Sequence, residues 1–175
     1  MAAARKLVAG VGNVLHGDDG FGVEVANRLM ARVDLPQGLK VIETGIGGMS
    51  LIQETMAGCD ALLIVDAYER GDPPGTLYFL EVELPDLTHL DMHERRNYFA
   101  DTHYATPDRA LHLLAGIGRL PRCVYMLGCE PQQHAELAIG LSPAVSAAIE
   151  PAVQRVLAWA VSKPLDCHSV TPLKW

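Results

Sequence analysis

The chain contains the segment Leu7-Val-Ala-Gly-Val-Gly-Asn-Val-Leu-His-Gly-Asp-Asp-Gly-Phe-Gly22, and this segment predicts the architecture of the whole protein. The residues from Lys6 to Val11 form a short apolar run closed by glycine, which is typical of a buried strand. Further glycines then let the backbone turn tightly, and a helical pattern of apolar residues begins at Phe21. A strand, a glycine-rich loop and a helix form the first half of a βαβ unit. In an open α/β sheet, ligands usually bind at such a joint, after the carboxyl end of the strand.

The remainder of the chain continues this alternation of strands and helices. Strands are predicted at 39–43, 60–66, 76–82 and 122–128, and helices at 49–57, 107–116 and from 142 onward. The strand at 60–66 is continuously apolar, as expected when both of its faces are covered. The strand at 76–82 follows a proline turn and is expected to run antiparallel at the sheet edge. We therefore predict a single domain over residues 1–175 with an irregular tail at 163–175. Its fold class is α/β, a three-layer α/β/α sandwich around a mainly parallel, twisted sheet of about five strands.

Composition and charge exclude several classes of partner. With 49% apolar and 20% charged residues, the 175-residue chain has an ordinary globular composition. Its formal net charge of −7 argues against binding to nucleic acid or to an anionic membrane surface, but it is compatible with metal ions. No apolar run is long enough to span a bilayer, and the first residues lack the apolar core of a signal peptide. We expect a cytoplasmic protein with no nucleic-acid and no membrane partner.

The cysteines are expected to be reduced. The chain has four of them, Cys59, Cys123, Cys129 and Cys167, with no Cys-x-x-Cys pair among them. Two lie in one apolar run and a third opens another, so buried thiols are favoured over disulfides or a zinc site.

Acidic residues at two strand ends form the strongest candidate site. Asp18 and Asp19 follow the first predicted strand, Asp66 ends the strand at 60–66, and His103 lies in a polar segment without a regular period. An imidazole with two carboxylates suits a divalent cation such as zinc, nickel or manganese, and the same groups could polarise water without a metal. The structural alternative is that an aspartate of the pair caps the helix, that Asp66 belongs to a turn, and that the histidine is solvated.

Other sites are less well supported by the residues. His89, Asp91 and His93 alternate, so an extended backbone would place them on one face as a rival metal site. The glycine loop lacks the third glycine of a dinucleotide-binding fingerprint, and its acidic pair would repel a pyrophosphate. The chain has no Gly-x-Ser-x-Gly motif, and no cysteine has an evident activating histidine, which argues against nucleophilic catalysis.

A series of motifs, in order along nearly the whole chain, resembles the hydrogenase maturation endopeptidases. The motifs are Gly10-Val-Gly-Asn-Val-Leu15, Asp18-Asp-Gly-Phe-Gly22, Glu43-Thr-Gly-Ile-Gly-Gly-Met-Ser-Leu51, Leu63-Ile-Val-Asp-Ala67, Pro74-Gly-Thr76 and Gly140-Leu-Ser-Pro143. Members of that family trim a C-terminal extension from the large subunit of nickel-iron hydrogenases after nickel has been inserted.

The resemblance implies an aspartyl-type endopeptidase whose partner is the precursor of a nickel-iron hydrogenase large subunit. It also implies that Asp19, Asp66 and His103 are both the catalytic and the metal-binding residues. They would meet nickel carried by the substrate, for which another divalent metal such as zinc or cadmium can substitute. Two alternatives remain open at this point: a non-catalytic, metal-binding assembly factor for the large subunit, and a germination-type peptidase on the same fold.

Overall fold

The α/β fold predicted from the sequence is confirmed by a computed structural model, which describes residues 4–84, 91, 93, 106–132, 137–162 and 172–174. The strands are β1 (Lys6–Val11), β2 (Leu39–Gly45), β3 (Ala61–Ala67), β4 (Leu77–Glu83), β5 (Cys123–Cys129) and β6 (Pro172–Lys174). The helices are α1 (Phe21–Met30), α2 (Gly48–Met56), α3 (Pro107–Gly116) and α4 (Pro143–Val161), and a 3-10 turn at Gly17–Gly20 precedes α1.

The strands pair in one mainly parallel sheet with the order β2-β1-β3-β5-β4-β6. β2, β1, β3 and β5 are parallel, and β4 runs antiparallel to β5, as predicted from the proline turn before it. The predicted edge position of β4 is wrong, because β6 pairs outside it, with Glu83 opposite Lys174. The irregular tail is likewise wrong for residues 172–174, since three residues are too few to carry a recognisable period. One domain over residues 1–175 stays a prediction.

Helices cover both faces of this sheet. α1 packs beside α4 on one face and α2 packs beside α3 on the other, each pair burying an apolar stripe against the strands. In α1 the stripe includes Val25 and Leu29, and in α3 it includes Leu111 and Leu114, all of them fully buried. Burying one such side chain is worth about 1.5–3 kcal/mol, so these stripes hold the layers together. None of the helices in the described part of the chain is both long and apolar enough to cross a membrane.

The final helix is fixed at both ends. At its start the Ser142 hydroxyl accepts a hydrogen bond from the Val145 N–H at 3.5 Å, and Pro143 occupies the first helical position. At its end the buried Lys6 ammonium donates to the carbonyls of Trp159, at 2.6 Å, and Ser162, at 2.8 Å. A lysine of β1 therefore satisfies carbonyls that the helix itself leaves unpaired.

The beginning of α1 is pressed against the point where the strand order reverses. The chain leaves β1 for β2 on one side and returns to β3 on the other, which makes the gap between β1 and β3 the switch point of the sheet. A Cβ at Gly22 would lie 2.0 Å from the Val65 carbonyl oxygen and 2.3 Å from that of Val11. No side chain fits there, so only glycine at this position lets the start of α1 lie so close to the ends of β1 and β3.

The thiols differ in state. Cys59 and Cys129 are free, as predicted, but the prediction of reduced cysteines is wrong for Cys123, which is disulfide-bonded. Spatial pairing between distant cysteines leaves no trace in their spacing, which is why the sequence missed it. Cys167 lies outside the described residues.

Candidate active site

Two of the candidate carboxylates lie close together at the carboxyl ends of the parallel strands. Asp19 lies in the 3-10 turn after β1, and Asp66 lies near the end of β3, the parallel neighbour of β1. Gly12 lies between the two aspartates: a Cβ at this position would lie 1.8 Å from the Asp19 carbonyl oxygen and 3.7 Å from Asp66 Oδ1. Its φ of +131° is one that other residues rarely adopt. The first glycine of the loop therefore brings the two aspartates together.

The ionisation of Asp66 is strongly perturbed. Burial, reinforced by the negative charge of Asp19, raises the pKa of Asp66 to about 7, against a smaller opposing effect of the hydrogen bond from the Ala67 N–H at 2.8 Å. Near neutral pH the Asp66 carboxyl is therefore partly protonated, and it can donate or accept a proton. A divalent cation beside it would favour its ionised form. The donor set thus fits either a metal ion or general acid–base chemistry.

Asp19 is oriented by its own loop. Its Oδ2 accepts a hydrogen bond from the Asn13 N–H at 2.9 Å, while Asn13 Oδ1 accepts one from the Leu15 N–H at 3.0 Å. A backbone N–H therefore fixes the position of the Asp19 carboxyl group beside Asp66.

The neighbouring Asp18 has a different, structural part. It is only 3% exposed and accepts hydrogen bonds from the Gln132 N–H at 2.8 Å, the Ser142 N–H at 2.6 Å and the Ser142 hydroxyl at 2.8 Å. The helix-cap alternative does not hold for α1, whose N-cap is Gly20 with no side-chain cap hydrogen bond. Asp18 instead ties the glycine loop to the chain after β5 and to the start of α4. The two adjacent aspartates thus divide into an anchor, Asp18, and a candidate site residue, Asp19.

Glu130 is a buried acidic residue that the sequence analysis missed. It directly follows β5, and its carboxylate accepts hydrogen bonds from the Arg70 N–H at 2.8 Å, the Gly71 N–H at 3.1 Å and the Tyr78 hydroxyl at 2.6 Å. Burial alone would raise the pKa of Glu130, but these hydrogen bonds hold it below its ordinary value. Glu130 thereby fixes the loop that follows Asp66. The signal that could have found it is the one that found Asp66, a carboxylate at the end of a buried strand.

The histidine of the predicted trio, His103, lies outside the described residues, so its part in the site stays a prediction. Of the rival site, His89 also lies outside them, while the exposed His93 donates its backbone N–H to Asp91 Oδ1 at 2.7 Å. Within the ranges that the structure describes, no group of three His, Cys, Asp or Glu side chains could hold a metal ion. The described part of the candidate site is therefore the carboxylate pair.

The free thiols are poor nucleophiles. Burial, followed by the charges of Asp18 and Glu130, raises the pKa of Cys129 to about 12, and burial raises the pKa of Cys59 to about 11. Both remain protonated at neutral pH, and a protonated thiol is not the attacking form. This agrees with the prediction that nucleophilic catalysis by cysteine is disfavoured.

Known proteins share both the sequence pattern and the fold. The family model HycI, described as hydrogenase maturation protease, matches residues 23–159. The hydrogenase 2 maturation protease of Escherichia coli K12 is 35% identical over 156 residues, covering 88% of this chain and 89% of that protein. A putative hydrogenase maturation protease of Methanocaldococcus jannaschii is 31% identical over 158 residues, covering 86% and 93%.

Structural similarity agrees with these sequence matches. The solved structure of the hydrogenase maturating endopeptidase HybD from E. coli superposes with a TM-score of 0.69 at 33% identity, covering 89% of this chain and 91% of that chain. The resemblance noted from the ordered motifs is thereby confirmed, and the chain belongs to the hydrogenase maturation protease family and is a peptidase.

Proposed function

We propose that this peptidase removes the C-terminal extension of a nickel-iron hydrogenase large-subunit precursor after nickel insertion, and that Asp19, Asp66 and His103 engage the nickel. The observation that carries the proposal is the pair of carboxylates at the switch point of the sheet, where the strand ends of β1 and β3 converge. Membership in a family of proteases favours this function over a non-catalytic assembly factor. The family match also favours a hydrogenase precursor over the substrate of a germination-type peptidase.

Nickel belongs to the substrate in this proposal. Burial and the charge of Asp19 both make ionisation of Asp66 unfavourable. A cation bound between the two carboxylates offsets both of these free-energy costs, so the pair has a strong preference for a bound cation. A precursor that carries nickel would therefore bind more tightly than the same precursor without it. Such a difference in affinity is what a maturation checkpoint requires, since the metal-free subunit must be left untrimmed. Zinc or cadmium could replace nickel at the same ligands.

The same pair can assist the hydrolytic step. Water attacks the carbonyl carbon of the scissile peptide bond, an ionised carboxylate of the pair takes a proton from that water, and the same carboxyl then gives this proton to the leaving amine as the peptide bond breaks. Atoms and charges balance, because the carboxyl that gains the proton also loses it and returns to its starting state. A positioned carboxylate can act first as base and then as acid in this way while a cation holds the pair ionised.

Trimming of purified precursor tests the proposal. Nickel-loaded and nickel-free large-subunit precursor are each incubated with the protein, and the loss of the C-terminal extension is followed by mass spectrometry. We expect trimming of the loaded form alone. Equal trimming of both forms would refute the nickel checkpoint, and trimming of neither would refute the proposed substrate.

Substitutions at the two ends of β3 provide a matched comparison. Asp66→Asn is expected to slow trimming by about 100-fold or more, since loss of a positioned acid or base costs that much. Asp60→Asn is the control, because Asp60 is an exposed aspartate just before the amino end of the same strand, where Oδ2 accepts the Arg5 N–H at 2.7 Å. Wild-type rates for Asp66→Asn would remove Asp66 from the site. His103→Gln, measured in the same way, tests the third ligand.

A further inference from the structure

Four large aliphatic side chains stand exposed beside the candidate site. They belong to two segments and are Val14 at 53%, Leu15 at 51%, Leu137 at 80% and Ile139 at 88% exposure. We call these four residues the apolar ledge. Single exposed aliphatic residues are common, but four within two short segments are a contiguous surface of the kind that marks an interaction site.

The two segments that carry the apolar ledge are joined by their backbones. The Ala138 N–H donates to the Leu15 carbonyl at 2.9 Å, and the Gly17 N–H donates to the Ala138 carbonyl at 2.7 Å, which forms a short parallel bridge. Beneath this bridge lies the buried Asp18 carboxylate with its hydrogen bonds to Gln132 and Ser142. The apolar ledge is thus held in place before any partner arrives, so that little ordering entropy is lost on binding.

The apolar ledge is continuous with the carboxylate pair. Asn13 donates its backbone N–H to the Asp19 carboxylate, and its own side-chain Oδ1 accepts a hydrogen bond from the Leu15 N–H. The next residue in the chain after Asn13 is Val14, the first residue of the ledge. Behind the ledge is a cavity of about 270 Å³ whose lining includes Gly17, Ala138 and Leu141. A cavity of that kind can receive one side chain of a bound protein, as the central residues of interfaces commonly require.

From this placement we infer that the apolar ledge is a docking surface for the large-subunit precursor, which it contacts through an uncharged aliphatic patch of the precursor beside the C-terminal extension. This inference rests on the proposed function. The segments 14–17 and 137–140 contain no Asp, Glu, Lys or Arg. A charged peptide or nucleic acid would have to leave its charges unpaired against these side chains, whereas an aliphatic surface loses only water.

Binding of the nickel-loaded precursor tests the inference. Leu137→Asp and Ile139→Asp each place a charge on the apolar ledge, and we expect each to raise the Kd and the KM for the precursor about tenfold or more, as for central interface residues. The kcat at saturation and the Tm should stay at wild-type values, because neither side chain is buried or touches the reacting atoms. Val33→Asp is the matched control. Val33 is fully exposed and follows the carboxyl end of α1, at the end of the sheet opposite to the candidate site, so its substitution should leave Kd and KM unchanged.

The outcomes separate this inference from the proposed function. If wild-type protein binds the precursor without trimming it, and the ledge variants lose binding, the docking surface stands and the proposed reaction falls. If wild-type protein trims the precursor and the ledge variants match it in Kd and KM, the docking surface falls and the reaction stands. A wild-type protein that does not bind the precursor overturns the docking surface as well. So does a fall in the Tm of the variants, or a dimer that Leu137→Asp dissociates while the Kd for the precursor is unchanged.

Discussion

Replacing Asp66 by asparagine should make the protein more stable at pH 8 even though it removes a residue that the proposed reaction needs. Asparagine has nearly the shape of a protonated aspartic acid, and its side-chain oxygen can still accept the Ala67 N–H. It cannot ionise. The variant therefore escapes the cost of holding a negative charge that is partly buried and lies close to Asp19.

The size of the gain follows from the pKa of Asp66 in the folded protein. One pKa unit corresponds to about 1.4 kcal/mol, so the difference between an ordinary value of 3.8 and a folded value of about 7 corresponds to roughly 4 kcal/mol at full effect. The side chain keeps some contact with solvent, and about half of this, roughly 2 kcal/mol, is a realistic expectation. Because the folded protein binds the proton more tightly than the unfolded chain, stability is greatest below pH 3.8 and is lost as pH rises toward 7.

Urea unfolding of wild type and Asp66→Asn at pH 5 and pH 8 measures this effect. The excess stability of the variant should be small at pH 5 and larger at pH 8, since wild-type Asp66 ionises between these values. Asp19→Asn should reproduce part of the gain, because removal of its charge lowers the pKa of Asp66 toward the ordinary range. A stability difference that is the same at both pH values, or a variant less stable at pH 8, would refute the assignment of a buried, repelled carboxyl.

Three further substitutions have expected effects of different origin. Gly12→Ala should cost roughly 3 kcal/mol and abolish trimming, because its Cβ would collide with the Asp19 carbonyl oxygen at 1.8 Å and displace that residue. Asp18→Asn should cost about 3 kcal/mol in urea unfolding, because the amide nitrogen that replaces one oxygen cannot accept hydrogen bonds from buried donors such as the Ser142 N–H. Lys6→Met should cost about 2 kcal/mol and speed amide hydrogen exchange in the last turn of α4, whose carbonyls the ammonium satisfies.

Matched controls separate these causes from general sensitivity. Gly118→Ala introduces a Cβ at a φ of +68° with nothing within 4 Å, so it should cost only about 1 kcal/mol for the left-handed backbone, without a collision. Asp60→Asn is the control for Asp18→Asn, because the Asp60 carboxylate is exposed. Lys40→Met is the control for Lys6, because its ammonium pairs on the surface with Glu54. Equal losses within any of these pairs would contradict the corresponding explanation.

The sequence pattern was sufficient for β1 to β5 and for the placement of two of the three candidate site residues, Asp19 and Asp66. A continuous apolar run ending in a carboxylate predicted β3 and Asp66 because a strand buried on both faces must be apolar until it reaches the edge. The glycine loop predicted the joint at which Asp19 lies. In the structure β1 and β3 are parallel neighbours, which brings Asp19 and Asp66 to the same end of the sheet.

What the pattern could not supply depends on contacts between distant parts of the chain. Asp18 and Asp19 are identical in type and adjacent in sequence, and only their partners distinguish the anchor from the candidate site residue. The position of Glu130 after a buried strand is visible in the sequence, but its donors, such as the Tyr78 hydroxyl, come from a loop and a strand far from it along the chain, so its role is visible only in the folded protein. The disulfide state of Cys123 is likewise a property of spatial pairing. The periodicity of apolar residues shows which face of a helix or strand is buried, but it does not show which distant groups a given residue will contact.

The span of the Asp18 contacts has a consequence for the order in which the protein becomes competent during translation. This carboxylate reaches groups 114 and 124 positions further along the chain. A growing polypeptide that has already made both strand-end aspartates still lacks the backbone bridge and the capped helix that complete their surroundings. Domains settle as units once enough chain has emerged from the ribosome. A nascent or truncated chain that ends before Gln132 therefore lacks the donors from Gln132 and Ser142 that anchor the loop of Asp18.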